Sequence, residues 1–263
     1  MARNSLKSVI KLIDAANKDV SPEVDFLNNL KRSIELTEEK DTRKPSQTYK
    51  PSSMNCIRNM YYQVVGAEQD DGQASYMLTG IVNSGSDIHI RIQNAIIGMK
   101  ENGIECEYID VADFIKKRKL DHLVVKDKKQ VETKIYYPDL NLSFMTDGII
   151  KFKNHYYILE IKTESIYKWQ SREGVDISHY NQATAYSVAF GLDEILFLYI
   201  NRDLLDMKAF ILNVTNEMKE NLIGLIDECD GYVKQLKIPP KPIGVDKKTC
   251  SYCNYKNMCR KEN

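Results

Sequence analysis

The stretch that decides the fold runs from Asp147 to Lys162 and reads DGIIKFKNHYYILEIK. Its Ile, Tyr and Phe residues predict two half-buried β-strands joined by a turn at Lys153-Asn154. Successive side chains of a strand point to opposite faces, so Glu160 and Lys162 share one face. Charged groups are costly to bury unless they are paired or bind a metal. Together with Asp147, this pair therefore predicts a divalent-metal site.

Length, charge and hydropathy limit the class of protein. The chain has 263 residues, enough for one large domain or for a core with appendages. Its 37 Lys and Arg residues balance 37 Asp and Glu residues, so a surface that binds nucleic acid must be local. The first 16 residues are amphipathic, and no run approaches the ~18 apolar residues of a membrane span. We expect a cytosolic protein, of cellular or phage origin, without a membrane partner.

Hydrophobic spacing divides the chain into four segments. Residues 1–40 are predicted to form a helical appendage, with one helix around Leu6 to Ile13 and a second that begins at Ser21. In the second helix, Phe26, Leu27, Leu30 and Ile34 share one face. Polar residues and a proline predict a linker at 41–50, followed by a core at 51–238. Three prolines introduce a cysteine-rich tail at 239–263.

Within the core, helical and strand patterns alternate. Helices are predicted at about 79–99, after a capping Asp110, and at about 177–190 and 215–236. Strands are predicted at about 129–136, 142–151, 156–163, 194–200 and 207–212. This order predicts an α/β fold in which helices flank a mixed central sheet.

Four of these elements carry residues that point to one chemistry. His89 lies at the margin of the predicted buried side of the long helix, a side marked by Ile88, Ile92, Ala95 and Ile96. Asp147 and the pair Glu160 and Lys162 lie on strands, and Gln182 and Tyr186 share a helix face at positions i and i+4. Each feature alone has an ordinary explanation, such as a turn, a solvated face or a satisfied histidine. Their combination is what indicates function.

Phosphodiester hydrolysis uses these residue types for physical reasons. Carboxylates and an imidazole can hold Mg²⁺ or Mn²⁺ with open coordination positions. The metal polarises the phosphate and lowers the pKa of a bound water. A lysine beside the phosphate stabilises negative charge in the transition state, and an amide and a phenol can position the substrate.

The ordered set of residues between Ser52 and Cys259 resembles the PD-(D/E)xK nuclease superfamily. Within it, the set is most similar to the RecB-like exonuclease branch, which includes the iron–sulfur nucleases of CRISPR adaptation. The resemblance implies a restriction-endonuclease-like core in which His89, Asp147 and Glu160 bind the metal. It implies that the backbone carbonyl of Ile161 is a further ligand and that Lys162 is catalytic. It also implies that the Gln-x-x-x-Tyr pair, Gln182 and Tyr186, positions DNA.

A compact cluster of cysteines closes the chain. Cys250, Cys253 and Cys259 lie within ten residues of the tail, and Cys56 stands far upstream. In the cytosol such cysteines favour metal ligation over disulfides, and ligation would supply folding energy to a tail with few apolar residues. Four thiolates suit either a [4Fe–4S] cluster or tetrahedral zinc. The resemblance favours the cluster, since iron–sulfur members pair one cysteine before the nuclease core with three after it.

Two further sets of residues complete the expectations. Cys106 and Cys229 lie in predicted secondary structure and are interpreted as buried apolar residues. Basic residues of the tail with Tyr252 and Tyr255, and the run Lys116 to Lys119, are candidate DNA-binding surfaces, although a charge run is usually a solvated face.

The sequence thus predicts a divalent-metal-dependent DNA nuclease, and the resemblance implies an exonuclease that acts on single-stranded ends. The alternative is a non-catalytic or partner-dependent DNA-binding subunit of a recombination or repair complex. In that case a helicase or a recombination protein would be the partner.

Overall fold

The computed structural model describes residues 21–38, 46–70, 75–129, 131–242, 244–245 and 247–261. The helix predicted around Leu6 to Ile13 and the first half of the predicted linker lie outside these ranges. The helices are α1 (Pro22–Glu38), α2 (Ile57–Val64), α3 (Tyr76–Ile97), α4 (Val111–Arg118), α5 (Ile166–Gln170), α6 (Tyr180–Phe190), α7 (Asn216–Lys234), α8 (Lys247–Ser251) and α9 (Lys256–Lys261). The strands are β1 (Cys106–Ile109), β2 (Val124–Lys129), β3 (Glu132–Tyr137), β4 (Leu142–Thr146), β5 (Gly148–Phe152), β6 (His155–Glu164), β7 (Glu194–Asn201) and β8 (Met207–Asn213).

The chain divides into two compact units. One comprises Met1–Arg43 with Gly72–Asn83, and the other comprises Lys44–Asp71 with Ser84–Asn263. In the smaller unit, the backbone N–H of Tyr76 donates to Glu35 Oε1 at 3.1 Å. The shared apolar face predicted for α1 is largely exposed, since Phe26, Leu27 and Leu30 are all open to solvent.

The larger unit is built on two sheets. A five-stranded sheet has the order β1-β5-β6-β7-β8, in which β6 and β7 are parallel and the other pairs antiparallel. The parallel pair needs a crossover, and α5 and α6 lie in that connection. A second, antiparallel sheet has the order β2-β3-β4. The predicted α/β class with a mixed central sheet flanked by helices is confirmed.

Alternation along β6 separates two hydrophobic clusters. Ile158 belongs to the cluster that contains Ala183 and Phe190 of α6 and Leu222 and Ile226 of α7. Leu159 and Ile161 belong to the other cluster, together with Ile88 of α3. Helices therefore cover both faces of the central sheet. Because Glu160 and Lys162 alternate with these residues, they lie on the face covered by α6, as the period of two predicts.

The stretch predicted as one strand at 142–151 is interrupted at Asp147. Residues Leu142–Thr146 pair in the small sheet, whereas Gly148–Phe152 pair in the large one. Gly148 has φ of +147°, a conformation that favours glycine, and a Cβ there would overlap the ring of Tyr108. The chain therefore changes sheets at this point and leaves the carboxylate of Asp147 at the junction.

Other details differ from the sequence prediction. Strands β1 and β2 were not expected, because β1 is only four residues long and β2 carries four charged residues among its six. Ala95, predicted on the buried side of α3, is exposed, and Gln93 is buried there instead.

Asp110 caps α4 as predicted, by accepting from the backbone N–H of Asp113 at 3.1 Å. Within the described ranges, no helix combines the length and hydropathy required to cross a bilayer.

Candidate active site and cysteine cluster

The site forms where β6 extends beyond its partner β5. The pairing of the two strands ends at Gly148 and Leu159. Asp147 continues the contact with its side chain, since its Oδ2 accepts the backbone N–H of Ile161 at 2.6 Å. The N–H and C=O of a strand residue point to the same edge of the strand. The carbonyl of Ile161 therefore lies on the edge that faces Asp147.

Helix α3 places His89 over this junction. Gly85 allows a close approach of the helix to β6, because a Cβ there would meet Thr163 Oγ1 at 3.2 Å. One turn further along, His89 Nδ1 lies 3.1 Å from Asp147 Oδ1. Gln93, which is 1% exposed, donates to the backbone carbonyl of Asp147 at 2.9 Å. Asp147 is thus held from the helix and from the strand, and Gln93 is a contributor that the sequence analysis missed.

Glu160, Lys162, Gln182 and Tyr186 form one hydrogen-bonded network between β6 and α6. Lys162 Nζ lies 2.6 Å from Glu160 Oε1 and donates to Gln182 Oε1 at 3.0 Å. The amide nitrogen of Gln182 donates to Glu160 Oε1 at 2.8 Å and lies 2.7 Å from the Tyr186 hydroxyl. That hydroxyl donates to the carbonyl of Met145 at 3.0 Å. The structure therefore brings together all four residues that the sequence singled out on these two elements.

Burial and neighbouring charges shift the protonation of this site. Burial raises the pKa of Glu160 to about 7, with the charge of Lys162 opposing the rise and that of Asp147 adding to it. Burial also acts to lower the pKa of His89, but the hydrogen bond and charge of Asp147 outweigh it and raise that pKa. A divalent cation competes with protons for such groups, because it binds their deprotonated forms.

Glu132 is a second residue that the sequence analysis missed. Ligand atoms of His89, Glu132 and Asp147 all lie within 4.8 Å of one another, a spacing at which three groups can hold one cation. Glu132 and Asp147 are the next residues after Thr133 and Thr146, the last pair of the β3–β4 register. Only the register of β3 on β4 marks Glu132 as a site residue. That register cannot be deduced from the sequence without the structure. Among the described residues Glu160 is not a member of this group, and its carboxylate contacts Lys162 and Gln182.

The donor set fits a hard divalent cation. Carboxylate oxygens, a backbone carbonyl and one imidazole are ligands that Mg²⁺ and Mn²⁺ accept, and thiolates are absent from this set of residues. The buried carboxylate of Glu160 also needs compensating positive charge once it is ionised. Lys162 supplies one such charge, and a bound cation would supply the other.

The four predicted ligand cysteines come from two segments that lie far apart in sequence. Cys56 precedes α2, and Cys250, Cys253 and Cys259 lie in the tail. Burial raises the pKa of the Cys253 thiol, and the thiols of Cys56, Cys259 and Cys250 raise it further because gathered thiolates repel. Among the described residues, no three of these sulfurs lie within 4.8 Å of one another. Cys106 and Cys229 are buried, as predicted, outside this set.

Ordinary contacts also hold the tail, which the sequence analysis had expected to depend on a metal for its order. Arg58 of α2 donates to the carbonyl of Pro239 at 2.8 Å and lies 3.4 Å from Cys259 Sγ. The backbone N–H of Asp70 donates to the carbonyl of Asn254 at 2.7 Å. Tyr255 is 2% exposed and its ring lies 5.5 Å from that of Tyr62. Tyr255 therefore cannot stack on bases, contrary to the expectation, whereas Tyr252 is exposed.

The remaining predicted DNA contacts are spread over the surface. Lys116 to Lys119 end α4, and the described basic side chains of the tail are partly or fully exposed. Lys247 and Lys248 have side chains outside the described part of the structure. Trp169 donates its indole N–H to the carbonyl of Tyr199 at 3.2 Å, so it packs α5 on the sheet. Tyr167 beside it is exposed.

Comparison with known proteins adds little to this geometry. No family model matches the chain, and no curated protein matches it. Among solved structures, the crystal structure of SSO0001 is similar over 89% of this chain and 96% of that chain, with 15% sequence identity and a TM-score of 0.48. A similarity of this level carries no argument about the site. Any functional conclusion therefore rests on the residues and their arrangement.

Proposed function

We propose that the chain is a divalent-metal-dependent DNA nuclease of the PD-(D/E)xK superfamily. In this proposal the larger unit is a restriction-endonuclease-like core of the RecB-like branch, and the reaction is hydrolysis of phosphodiester bonds. The single observation that carries the proposal is the meeting of Asp147, Glu160 and Lys162 at the end of β6, where Gln182 bridges the carboxylate and the ammonium. A buried carboxylate and lysine beside a second acid suit reaction chemistry better than a surface that only binds.

Each residue has a distinct part in the proposed reaction. Asp147, Glu160, His89 and the carbonyl of Ile161 would hold Mg²⁺ or Mn²⁺. When bound, such an ion polarises the scissile phosphate and lowers the pKa of its water. Lys162 places an ammonium beside Glu160, where it stabilises negative charge that develops on the phosphate.

Gln182 and Tyr186 hold the reacting groups in position. The Gln182 amide contacts Glu160, Lys162 and Tyr186 at once, so it fixes the carboxylate and the ammonium relative to each other. Tyr186 anchors this amide to β4 through the carbonyl of Met145. Fixed geometry of this kind lowers the barrier because the groups need no reorganisation during the reaction. In this proposal the pair also positions the DNA strand.

The same proposal assigns a [4Fe–4S] cluster to Cys56, Cys250, Cys253 and Cys259, with zinc as the alternative. Four thiolates are the usual ligands of such a cluster. Tetrahedral zinc with Zn–S bonds of about 2.3 Å draws its sulfurs to within about 4 Å of one another. The resemblance to iron–sulfur members of the branch, which pair one cysteine before the core with three after it, supports the cluster over zinc. Its role would be to strengthen the junction between α2 and the tail.

The proposed substrate is DNA with a free single-stranded end, cut by an exonuclease. Resemblance to the RecB-like branch supports this choice. A helicase or a recombination protein is the proposed partner, since the exposed apolar face of α1 has no role in the proposed reaction.

The test uses protein purified without oxygen and end-labelled single- and double-stranded DNA with Mg²⁺ or Mn²⁺. We expect wild-type protein to degrade DNA, and Glu160→Gln and Lys162→Ala to lower the rate by about 100-fold or more. Lys153→Ala is the matched control, because Lys153 lies in the turn before β6 and Lys162 lies near its opposite end. This control is expected to cut at the wild-type rate, and the product ladder gives the polarity.

Two results would contradict the proposal. Equal cleavage by wild type and Lys162→Ala would exclude the assigned site. Metal-independent DNA binding without any cleavage by wild type would favour a binding subunit that acts with a partner. In that case, cleavage that appears only after a helicase or recombination protein is added would identify a partner-dependent nuclease.

A further inference from the structure

A cavity of about 210 Å³ adjoins the candidate active site at the end of β6. It is smaller than the roughly 300–1,000 Å³ of sites for drug-sized ligands, so it suits a small group. Three cationic side chains, an imidazole and two hydroxyls line it: Lys162, Lys168, Arg202, His179, Thr163 and Ser165. Because Lys162 also pairs with Glu160, the cavity shares a wall with the site of the proposed reaction.

The acidic side chain that lines this cavity is already neutralised. Glu164 accepts from Arg172 at 2.7 and 3.1 Å and pairs with Lys168 at 2.9 Å. Asp176 pairs with the same two cations, each at 3.0 Å. These two acids and two bases cancel in charge. The hydrogen bonds and charges of these bases lower the pKa of Glu164 against the effect of burial, so this group stays ionised and paired.

His179, which also lines the cavity, can act as a proton donor. The hydroxyl of Tyr199 accepts the backbone N–H of Asp176 at 3.1 Å, so its own proton is available for His179 Nδ1 at 2.8 Å. An Nδ1 that accepts leaves the proton of a neutral imidazole on Nε2. Burial, with the charge of Lys162, lowers the pKa of His179 to about 4, so the ring is neutral at pH 7. Its Nε2–H is therefore available as a donor.

Arg202 supplies charge that no acid balances. In the part of the chain that the structure describes, its guanidinium makes no hydrogen bond or ion pair. Its backbone N–H donates to the carbonyl of Glu164 at 3.0 Å, which fixes the residue beside the cavity. The neighbouring Asp203 turns its carboxylate to the backbone N–H of Ile166 at 2.9 Å. A half-buried guanidinium without an acid partner is suited to an oxyanion from outside the chain.

We propose that this cavity binds a phosphate group of the DNA strand other than the one that is cut, with Arg202 as the principal contact. This inference rests on the proposed function, because it takes the bound strand to run past Lys162. Hydrogen-bond donors line the cavity, and the acidic side chain of Glu164 is neutralised by Lys168 and Arg172. This is the arrangement that a phosphate requires. A phosphate held here would set the position of the strand relative to Glu160 and Lys162. The phosphate is either a terminal monoester or the diester of a neighbouring nucleotide.

Fluorescence anisotropy of short single-stranded oligonucleotides with the full-length protein tests this site. The titrations are made in chelator, so that no DNA is cut, over a series of salt concentrations. Each phosphate contact with a single strand contributes about 0.7 to the slope of log affinity against log salt. We expect Arg202→Gln to reduce this slope by about 0.7 and to weaken binding about five- to tenfold at low salt. Arg202→Lys should restore most of the slope, because it restores the charge.

Lys153→Gln is the control, since it removes one exposed positive charge at the other end of β6 and should leave the slope unchanged. Oligonucleotides with a phosphate at the 5′ end, at the 3′ end or at neither end distinguish the two sources of phosphate. An effect of Arg202→Gln on one phosphorylated end alone identifies a terminal monoester, and an equal effect on all three identifies a diester. Either result supports the site, provided that the melting temperature of the variant equals that of wild type.

The site and the proposed function can fail separately. Equal slopes for wild type and Arg202→Gln, or an equal loss in Lys153→Gln, would overturn the phosphate site even if wild type cuts DNA. Conversely, a loss of slope confined to Arg202→Gln would support the phosphate site even if wild type cuts no DNA with Mg²⁺ or Mn²⁺.

Discussion

The backbone N–H of Ile161 donates to Oδ2 of Asp147 at 2.6 Å, so the first acid of the candidate site is fixed to the strand that carries the second. Asp147 lies where the chain leaves the small sheet for the large one, and Glu160 follows Leu159 at the end of the β5–β6 pairing. The β5–β6 hairpin therefore brings the two acids close together in space, although they are separated in sequence. Changes to this junction should affect stability and metal binding together.

Replacement of Glu132 tests whether the metal site extends beyond the residues predicted from sequence. We expect Glu132→Gln to weaken Mn²⁺ binding by about tenfold or more, because its carboxylate lies within 4.8 Å of ligand atoms of His89 and Asp147. Calorimetric titration of the metal into the protein measures this directly. Glu107→Gln is the control, since Glu107 is an exposed acid on β1. Equal affinity in Glu132→Gln and wild type would remove Glu132 from the site.

Glu160 should make the stability of the metal-free protein depend on pH. Its pKa is about 7 in the folded chain, above the ordinary value of 4.5, so the native state binds more protons between these values. The free energy of unfolding therefore decreases as pH rises through this window, by up to about 3 kcal/mol from this group. Glu160→Gln lacks this contribution. Urea titrations from pH 5 to pH 8 should show the variant gaining stability relative to wild type as pH rises.

The same protonation should control metal affinity. Binding of Mn²⁺ to wild type is expected to strengthen by at least about tenfold per pH unit below pH 7, because protons must leave both Glu160 and His89, whose pKa values are raised. A metal affinity that is constant from pH 5.5 to pH 8 would contradict the assignment of Glu160 as a ligand. Proton release, measured by titration in buffers of different ionisation enthalpy, provides an independent check.

Gly148→Ala should destabilise the protein by about 2–4 kcal/mol, because the new Cβ overlaps the Tyr108 ring at a backbone conformation that favours glycine. Gly231→Ala is the matched control. A Cβ at Gly231 meets no atom within 4 Å, and alanine favours helix α7 by up to about 1 kcal/mol. Thermal and urea unfolding measure both changes. A free energy of unfolding no lower for Gly148→Ala than for Gly231→Ala would mean that the junction adapts.

Cysteine variants test the proposed cluster by its metal content. We expect Cys56→Ser and Cys253→Ser to lose iron and the visible absorbance of the protein purified without oxygen. Cys106→Ala should keep both, since Cys106 is buried in the cluster around Ile88. Elemental analysis distinguishes iron from zinc. Wild-type protein that contains neither metal would remove the cluster from the proposal.

The local part of the site could be predicted from sequence, and the part that depends on pairing could not. Glu160 and Lys162 share a face because strands alternate, and Gln182 and Tyr186 share one because of the helical period. Glu132 contributes only through the register of β3 on β4, which depends on how two distant segments align. Gln93 was missed because a buried glutamine in a helix has no distinctive pattern in sequence.

The tail shows a different limit of sequence reasoning. Its low content of apolar residues suggested that it could not order itself, yet Tyr255 is buried in the core against Tyr62, and Met258 packs against the same core. The interruption at Asp147 was missed because hydrophobic residues continue on both sides of it. In both cases individual residues matter, and averages over a window of residues do not detect them.

The contact of Arg58 with Cys259 joins a part of the chain that the ribosome makes early to a part that it makes late. The two residues lie 201 positions apart, so at about 5–20 residues per second the ribosome completes the second about 10–40 s after the first. Throughout that interval the nascent chain lacks the carbonyl and thiol that Arg58 contacts in the finished protein. The contact between α2 and the tail can therefore form only after Cys259 has been made.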